Sequence, residues 1–357
     1  MIEPFVYTGL PARVVFGSGT IHRLADEAAL LKARRVLVLT TPEQADQGER
    51  VAGLLADLAT ACFSGAKMHT PVEVTQEALG VVERERADCV LAIGGGSTTG
   101  LGKAIALHTD LPQIVVPTTY AGSEMTPILG QTEKGVKTTL RSPKVLPETV
   151  VYDVDLTLTL PPVFSGTSGI NAIAHAVEAL YAQDKNPILS LFAEQGIAAL
   201  ARSLPVIASV PTDREARTDA LYGAWMCAIC LGSSGVALHH KLCHVLGGSF
   251  DLPHADTHTI ILPHALAYNA PSVPDAVAAV SRALEAEDPA RALYDLAVKV
   301  GARTALRDIG MPEHGIDRAV EISMQNPYWN PHPIEPQRIR TLLVNAWHGA
   351  APSITGS

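Results

Sequence analysis

The chain has 357 residues, 47% of them hydrophobic and 18% charged, with a formal net charge of −9. That is more apolar material than one ordinary core needs, which predicts two domains, and an acidic balance without a basic run excludes nucleic acid as the expected partner. The opening MIEPFVYTGLPARVVFG does not read as a signal peptide, no uninterrupted apolar run approaches the roughly 18 residues of a bilayer span, and five scattered cysteines read as reduced thiols of a cytoplasmic protein.

In chain order, FVYTGLPARVVFGSGT reads as two short strands around a Gly-Leu-Pro turn, leading into a helix with Ile21, Leu24, Ala25, Ala28 and Leu31 at helical spacing. RVLVLTT, from Arg35, is a continuous β-branched run of the kind buried on both faces of a parallel sheet. Helices are expected at about residues 48–60 and 74–85, then strands over DCVLAI, QIVVP and TVVY. Strand and helix alternate at the pace of βαβ units, which predicts a doubly wound α/β domain.

Its key junction is Gly94-Gly95-Gly96-Ser97, between the strand ending at Ile93 and a helix from Thr98 to His108. Such a turn lets backbone N–H groups approach a phosphate at a helix N-terminus. The G-x-G-x-x-G pattern is not met, because counting from Gly94 the sixth residue is Thr99. A second strand end, PTTYAGSE from Pro117, adds hydroxyls and a glycine where the ligand edge of the sheet should lie.

From Pro161 onward helical periodicity dominates, with helices expected at about residues 162–181, 187–203, 213–231, 236–246, 275–285, 289–300 and 335–348. A Pro-rich segment, NPYWNPHP, interrupts them as a loop. Division into a nucleotide-binding domain, residues 1–158, and an all-α catalytic domain, residues 159–357, follows. Cys227 and Cys230 form C-x-x-C inside an apolar stretch with no second pair, so packing is the expected role.

The chemistry is expected to gather at LHHKLCHVLGGSFDLPH. His240 and His244 are four apart on one helix face, Gly247 and Gly248 should stop that helix, and a loop then presents His254. Asn171 and His175 repeat the four-residue spacing on an earlier helix. This is a pocket for a metal or for polarising a carbonyl; a zinc-protease reading fails because Lys241 stands where the general-base Glu belongs. His239 is expected to be structural, and His258 is ambiguous.

Taken together, VVFGSG, IGGGSTTGLGKAIAL, VPTTYAGSE, LPPVFSGTSGINAIAHAVEALYA, HHKLCHVLGGSFDLPHADTHT and NPYWNP make the chain resemble the iron-containing (group III) alcohol dehydrogenases over nearly its whole length, and among them the maleylacetate reductases. The resemblance implies a Rossmann-like parallel α/β domain followed by a helical domain, the dehydroquinate synthase-like architecture. It implies NADH or NADPH on Gly95, Gly96 and Ser97, lined by Thr118, Thr119 and Gly122, with Lys137 reaching it from a hairpin-like segment. Thr40 falls where NAD-preferring members keep an acid for the ribose 2′-hydroxyl. The metal ligands of metal-dependent members, one Asp and three His, fall on Asn171, His175, His240 and His254. A neutral amide cannot offset a divalent charge, so no metal is expected.

The implied reaction is metal-free reduction of the conjugated C=C of maleylacetate to 3-oxoadipate in aromatic-compound breakdown, by a cytoplasmic homodimer acting on a small dicarboxylate. His175, His240 and His254 would donate hydrogen bonds, His244 or His240 would be the general acid, and Asn171 would orient His175. Lys241 and Arg141 are candidates for the substrate carboxylates. Two alternatives stand beside this: a metal-dependent alcohol or aldehyde oxidoreductase of the same family, and a non-catalytic nucleotide binder.

Overall fold

The computed structural model describes residues 5–10, 12–134, 136–325 and 328–354, with the backbone alone at 136 and 137. Two compact units emerge: Gly9–Leu160, and Pro161 onward together with residues 5–8.

The first unit alternates strands and helices. In order come β1 (Arg13–Gly17), α1 (Leu24–Leu30), β2 (Val36–Leu39), α2 (Ala45–Leu55), β3 (Ala59–Phe63), α3 (Val72–Glu85), β4 (Cys89–Gly94), α4 (Gly96–Thr109) and β5 (Gln113–Pro117), then the antiparallel hairpin β6 (Ile128–Glu133) and β7 (Val136–Arg141), and β8 (Thr149–Asp153). Six strands form one parallel sheet in the order β1-β8-β5-β4-β2-β3. Successive side chains of a strand face opposite ways. Val36 and Val38 therefore pack with Leu24, Val51 and Leu55 on one face, while Leu37 and Leu39 pack with Val74, Ala78 and Leu101 on the other. This double burial is why the strand segments read as continuous apolar runs. Chain direction reverses between β2, which leads outward to β3, and β4, which leads the other way to β5, so their carboxyl ends flank a topological switch point.

Two expectations fail here. Residues 5–10 form no strand: Val6 is 86% exposed, and an isolated strand leaves its backbone groups without partners. The helix expected to reach residue 60 stops at Leu55, Ala56 turns at φ +49°, and ATACF becomes the edge strand β3. With every residue of β3 half-buried, its sequence carries neither clear alternation nor a buried run.

The second unit contains α5 (Pro162–Ala179), α6 (Pro187–Ser209), α7 (Arg214–Ser233), α8 (Leu238–Phe250), α9 (His254–Asn269), α10 (Pro274–Leu284), α11 (Pro289–Lys299), α12 (Gly315–Met324) and α13 (Pro336–His348). α5 is the central helix, buried from Ser165 to Ala179 and packed by α6, α7 and α9. α6 is long and apolar enough to cross a bilayer by length and composition, which the sequence reading did not foresee; Leu189, Ala193, Ile197, Leu200 and Leu204 bury its inner face. It crosses α7 so closely that a Cβ on Gly196 would lie 3.0 Å from the Gly223 carbonyl.

α8 does not stop at Gly247 and Gly248. It runs on to Phe250 and ends on Asp251 at φ +52°. His254 is consequently the first residue of α9, not part of a loop. α9 went unforeseen because it is buried on nearly every side from Thr257, which erases amphipathic periodicity, and because it contains Pro263. The shorter α12 was also unforeseen. Tyr328 to Pro333 is irregular, as expected of the Pro-rich segment; Asn326 and Pro327 lie outside the described residues.

Candidate active site

At the carboxyl end of β4, Gly94 takes φ +144°, which places the chain so that Gly95 becomes the N-cap of α4. No side chain caps this helix, leaving the first-turn N–H groups of Gly96, Ser97 and Thr98 for a ligand. A Cβ on Gly96 would meet nothing within 4 Å, whereas one on Gly95 would lie 3.2 Å from Thr119 Cγ2. The next strand end is tied to this turn: Thr118 N–H donates to the Gly94 carbonyl at 2.9 Å. Gly95, Gly96, Ser97, Thr118 and Thr119 thus come together at the carboxyl ends of β4 and β5.

Gly122 sits farther along at φ +84°. The segment beyond it is knotted by Lys103, buried in α4, whose Nζ donates to the carbonyls of Ser123, Thr126 and Ile128 and to Thr126 Oγ1 at 2.5–2.9 Å. Burial draws that ammonium down to about 7, against the opposing charge of buried Glu124. Lys103 therefore shapes the cofactor loop without being aimed at a ligand. The side chain of Lys137, on β7, lies outside the described residues. Arg141, at the end of the same strand, belongs to this α/β unit.

Two positions read differently in three dimensions. Thr40 follows β2 but is buried and donates its hydroxyl to Ser64 Oγ at 2.9 Å. The acid at this edge is Glu43, whose carboxyl is held below the usual range by its backbone N–H and by the Thr41 hydroxyl. Its neighbour Gln44 reaches Thr118 Oγ1 at 3.4 Å, so this short turn lies beside the glycine loop. At Gly100, in the first half of α4, a Cβ would collide with the Thr70 hydroxyl. Thr70 itself is held at φ +46°, a strained conformation for a β-branched residue.

The histidines meet entirely within the helical unit. α5 presents Asn171 and His175, both buried, and α8 presents His240, whose ring stacks on that of His175 at 5.2 Å. His244 lies one turn along α8, 6.2 Å from His240, and is exposed. His254, also exposed, starts α9 with its ring 4.2 Å from that of His258. The structure therefore joins His258 to the cluster, and with it His239, whose Nε2 lies 2.9 Å from His258 Nδ1.

Glu178 organises this arrangement, and sequence reasoning missed it. One oxygen accepts the His239 N–H at 2.8 Å; the other accepts the Ala237 N–H at 2.9 Å and lies 2.6 Å from His240 Nδ1. A buried carboxylate thus caps the N-terminus of α8 and fixes the His240 ring at once. The signal was present: Asn171, His175 and Glu178 stand at i, i+4 and i+7 on α5.

Five buried polar atoms of this cluster have no hydrogen-bond partner among the described residues: Asn171 Oδ1, His175 Nδ1, His240 Nε2, His239 Nδ1 and His258 Nε2. The orienting bond expected from Asn171 to His175 is therefore not made through that oxygen. Each orphan costs about 1–3 kcal/mol, so several of them in one histidine cluster mark a candidate ligand site. Burial first, then neighbouring imidazoles, pushes the pKa of His175, His239 and His258 well below the ordinary value, so all three are neutral at neutral pH. Protonated histidine for a substrate carboxylate must come from elsewhere in the cluster. Lys241, the other candidate cation, donates to the Gln325 carbonyl at 3.0 Å and stands 5.2 Å from the Tyr328 ring. Cys227 and Cys230 are buried thiols with raised pKa, as packing residues should be.

Comparison with known proteins agrees with this geometry. Residues 11–154 match the iron-containing alcohol dehydrogenases, and residues 165–347 match the C-terminal part of the same family. The chain is 57% identical to a maleylacetate reductase of Sphingobium indicum, over 98% of this chain and 99% of that protein. It is 54% identical to one from Rhizobium sp., over 98% and 100%. The crystal structure of maleylacetate reductase from Agrobacterium tumefaciens superimposes with a TM-score of 0.96 at 52% identity, covering 98% of this chain and all of that one.

Proposed function

The chain belongs to the iron-containing alcohol dehydrogenase family, and we infer that it is an NAD(P)H-dependent oxidoreductase that reduces the conjugated C=C of maleylacetate to 3-oxoadipate. Maleylacetate reductases 50–57% identical over nearly the full length support the substrate. The observation that carries the mechanism is that Asn171 Oδ1, His175 Nδ1 and His240 Nε2 are buried and unpartnered among the described residues, on two helices whose His175 and His240 rings stack at 5.2 Å.

The family name implies an iron ion, and the donor set here does not fit one. Asn171, His175, His240 and His254 contain no anion, and the buried carboxylate beside them, Glu178, is spent on two backbone N–H groups and His240 Nδ1. Nor do the nitrogens of His175, His240 and His254 gather within 4.8 Å of one another; among the described residues, the set of three that does so is a different one. We therefore propose turnover without a metal.

Reduced nicotinamide, when bound, supplies a hydride. The N–H groups of Gly96 and Ser97, approached closely at Gly95, would hold its pyrophosphate, and Thr118, Thr119 and Gly122 would line the edge. The alkene carbon β to the ketone accepts the hydride and leaves an enolate, whose charge is spread over three atoms. Hydrogen bonds stabilise such an oxyanion without a Lewis acid. Neutral His175 donates an N–H to the enolate oxygen, Asn171 lines the same pocket, and His240, fixed through Nδ1 by Glu178, delivers a proton from Nε2 to the α-carbon. His244 and His254 flank it for the substrate carboxylates. Five unpaired cysteines accord with work in the cytoplasm, where the nicotinamide pool is, and the assembly proposed is a homodimer.

The test is NADH and NADPH oxidation with maleylacetate, with and without EDTA, with the product identified as 3-oxoadipate. Chelator-insensitive turnover is expected. Absence of turnover would overturn the substrate. Turnover lost to EDTA and restored by Fe2+ or Zn2+ would establish metal-dependent chemistry instead.

A further inference from the structure

We propose that His239, Cys243 and His258 form a second, buried site for a thiophilic divalent cation of the zinc class, separate from Asn171, His175, His240 and His254, and that its occupation inhibits the enzyme. His239 and Cys243 are four apart on α8, one turn from each other on the same face, and His258 comes from the first turns of α9. All three are buried, and one ligand atom from each lies within 4.8 Å of the other two. His239 Nε2 is 3.7 Å from Cys243 Sγ and 2.9 Å from His258 Nδ1. Tetrahedral zinc with bonds of about 2.3 Å to sulfur and about 2.0 Å to nitrogen needs edges of about 3.6 Å between S and N and about 3.4 Å between two N. The sulfur edge already fits, and the two imidazoles must part by about half an ångström.

Charge favours this set over the other. Cys243 binds as a thiolate, releasing its proton to solvent, so a divalent ion here retains one uncompensated charge where the Asn171 set would leave two. Thiolate with imidazole also selects Zn2+, Cd2+ or Co2+ over Mg2+ and Ca2+. Neither Cys243 nor His239 has a part in the proposed reaction, yet the site adjoins it: the His258 ring is 4.2 Å from His254, and the His239 ring 5.2 Å from His240. Drawing His239 and His258 onto an ion displaces the two rings they touch, hence the inhibition.

Cobalt(II) added to the full-length protein is the probe. A near-ultraviolet thiolate-to-cobalt charge-transfer band is expected at one equivalent, displaced by Zn2+ and not by Mg2+. Cys243→Ser should abolish the band, keep basal NADH oxidation with maleylacetate, and raise the zinc concentration for half-inhibition more than about tenfold; Asn171→Ala should leave the band intact. No band in the wild-type chain, a band that survives Cys243→Ser, or cobalt binding lost on Asn171→Ala would each overturn the proposal. Because binding is read by absorption, these outcomes stand whether or not maleylacetate proves to be the substrate. If Cys243→Ser lowers the melting temperature, His258→Gln provides the second test, with the same loss of cobalt affinity expected.

Discussion

Replacing Glu178 with Gln removes one charge and almost no volume from the point where α5, α8 and His240 meet. In the wild type, one oxygen accepts the His239 N–H at 2.8 Å, and the other serves the Ala237 N–H at 2.9 Å and His240 Nδ1 at 2.6 Å. A glutamine has one accepting oxygen. In its better orientation it keeps Ala237 and His240 but turns an NH2 group towards the His239 N–H, opposing two buried donors at a cost of about 1–3 kcal/mol. At about 2–4 °C per kcal/mol for a unit of this size, the melting temperature should fall by about 2–12 °C. The chemical effect is separate. The bond holding His240 changes from charge-assisted to neutral, a loss of about 1.5 kcal/mol, equivalent to about tenfold in rate, and misorientation of the acid adds to it. We expect kcat to fall between about 10- and 100-fold, with NADH affinity unchanged, because the cofactor residues belong to the other unit. Steady-state NADH oxidation with maleylacetate, fluorescence titration of NADH and a thermal melt measure the three quantities. A kcat within about twofold of wild type, alongside the lowered melting temperature, would show that Glu178 only caps a helix and would refute its role in holding the acid.

Gly96→Asp places a carboxylate in open space at the N-terminus of α4; NADH affinity should drop more than about tenfold, while the melting temperature holds or rises, since an anion suits that helix end. An unchanged dissociation constant would remove the pyrophosphate from this turn. Glu43→Gln should raise kcat/KM for NADPH relative to NADH, because a carboxylate beside Thr41 repels a 2′-phosphate; equal ratios in both proteins would detach Glu43 from the ribose. Asn171→Asp, made in a Cys243→Ser background, should raise Zn2+ or Fe2+ affinity at least about tenfold by calorimetry, and no gain would refute the argument from ligand charge. Stability should fall on acidification. Burial holds His175, His239 and His258 well below the ordinary imidazole value and His264 at about 4. Unfolded, they titrate near about 6.5, so the unfolded chain binds more protons between those values. Stability is full above about 6.5 and declines as pH drops through the window, at up to about 1.4 kcal/mol per pH unit per group; a melting temperature flat from about pH 7 to 5 would contradict the neutral buried histidines.

What was legible in the sequence depended on whether burial left a periodic trace. β5 was read at its full extent, because QIVVP is buried on both faces and bounded by breakers. The Gly94–Ser97 turn was legible because only glycine takes φ +144° easily. α9 was not, since a helix buried almost all round has no polar face to set its period, and the same burial hid His258 from the site. That Ser64 takes the Thr40 hydroxyl was not legible, because position along a strand does not reveal a side chain's partner. Glu178 was overlooked for a related reason: a lone acid in an apolar helix reads as a solvated residue until the two backbone N–H groups that bind it are seen.

The placement of that acid decides what the helical unit can do. Where metal-dependent relatives hold an aspartate among the ligands, this chain has an amide, Asn171, and its buried negative charge stands one turn beyond His175, behind the His240 ring. A carboxylate facing the pocket would compensate a cation in front of the imidazoles. Glu178, bound at Nδ1 behind the ring, instead fixes His240 with Nε2 turned away from the carboxylate. The first arrangement would stabilise an alkoxide on a metal; the second, in the proposed reaction, quenches an enolate with a proton. With Glu178 held by the Ala237 and His239 N–H groups and by His240 Nδ1, no carboxylate is left among Asn171, His175, His240 and His254 to compensate a divalent ion, which favours proton delivery to an enolate, the chemistry an enone requires and a simple ketone does not.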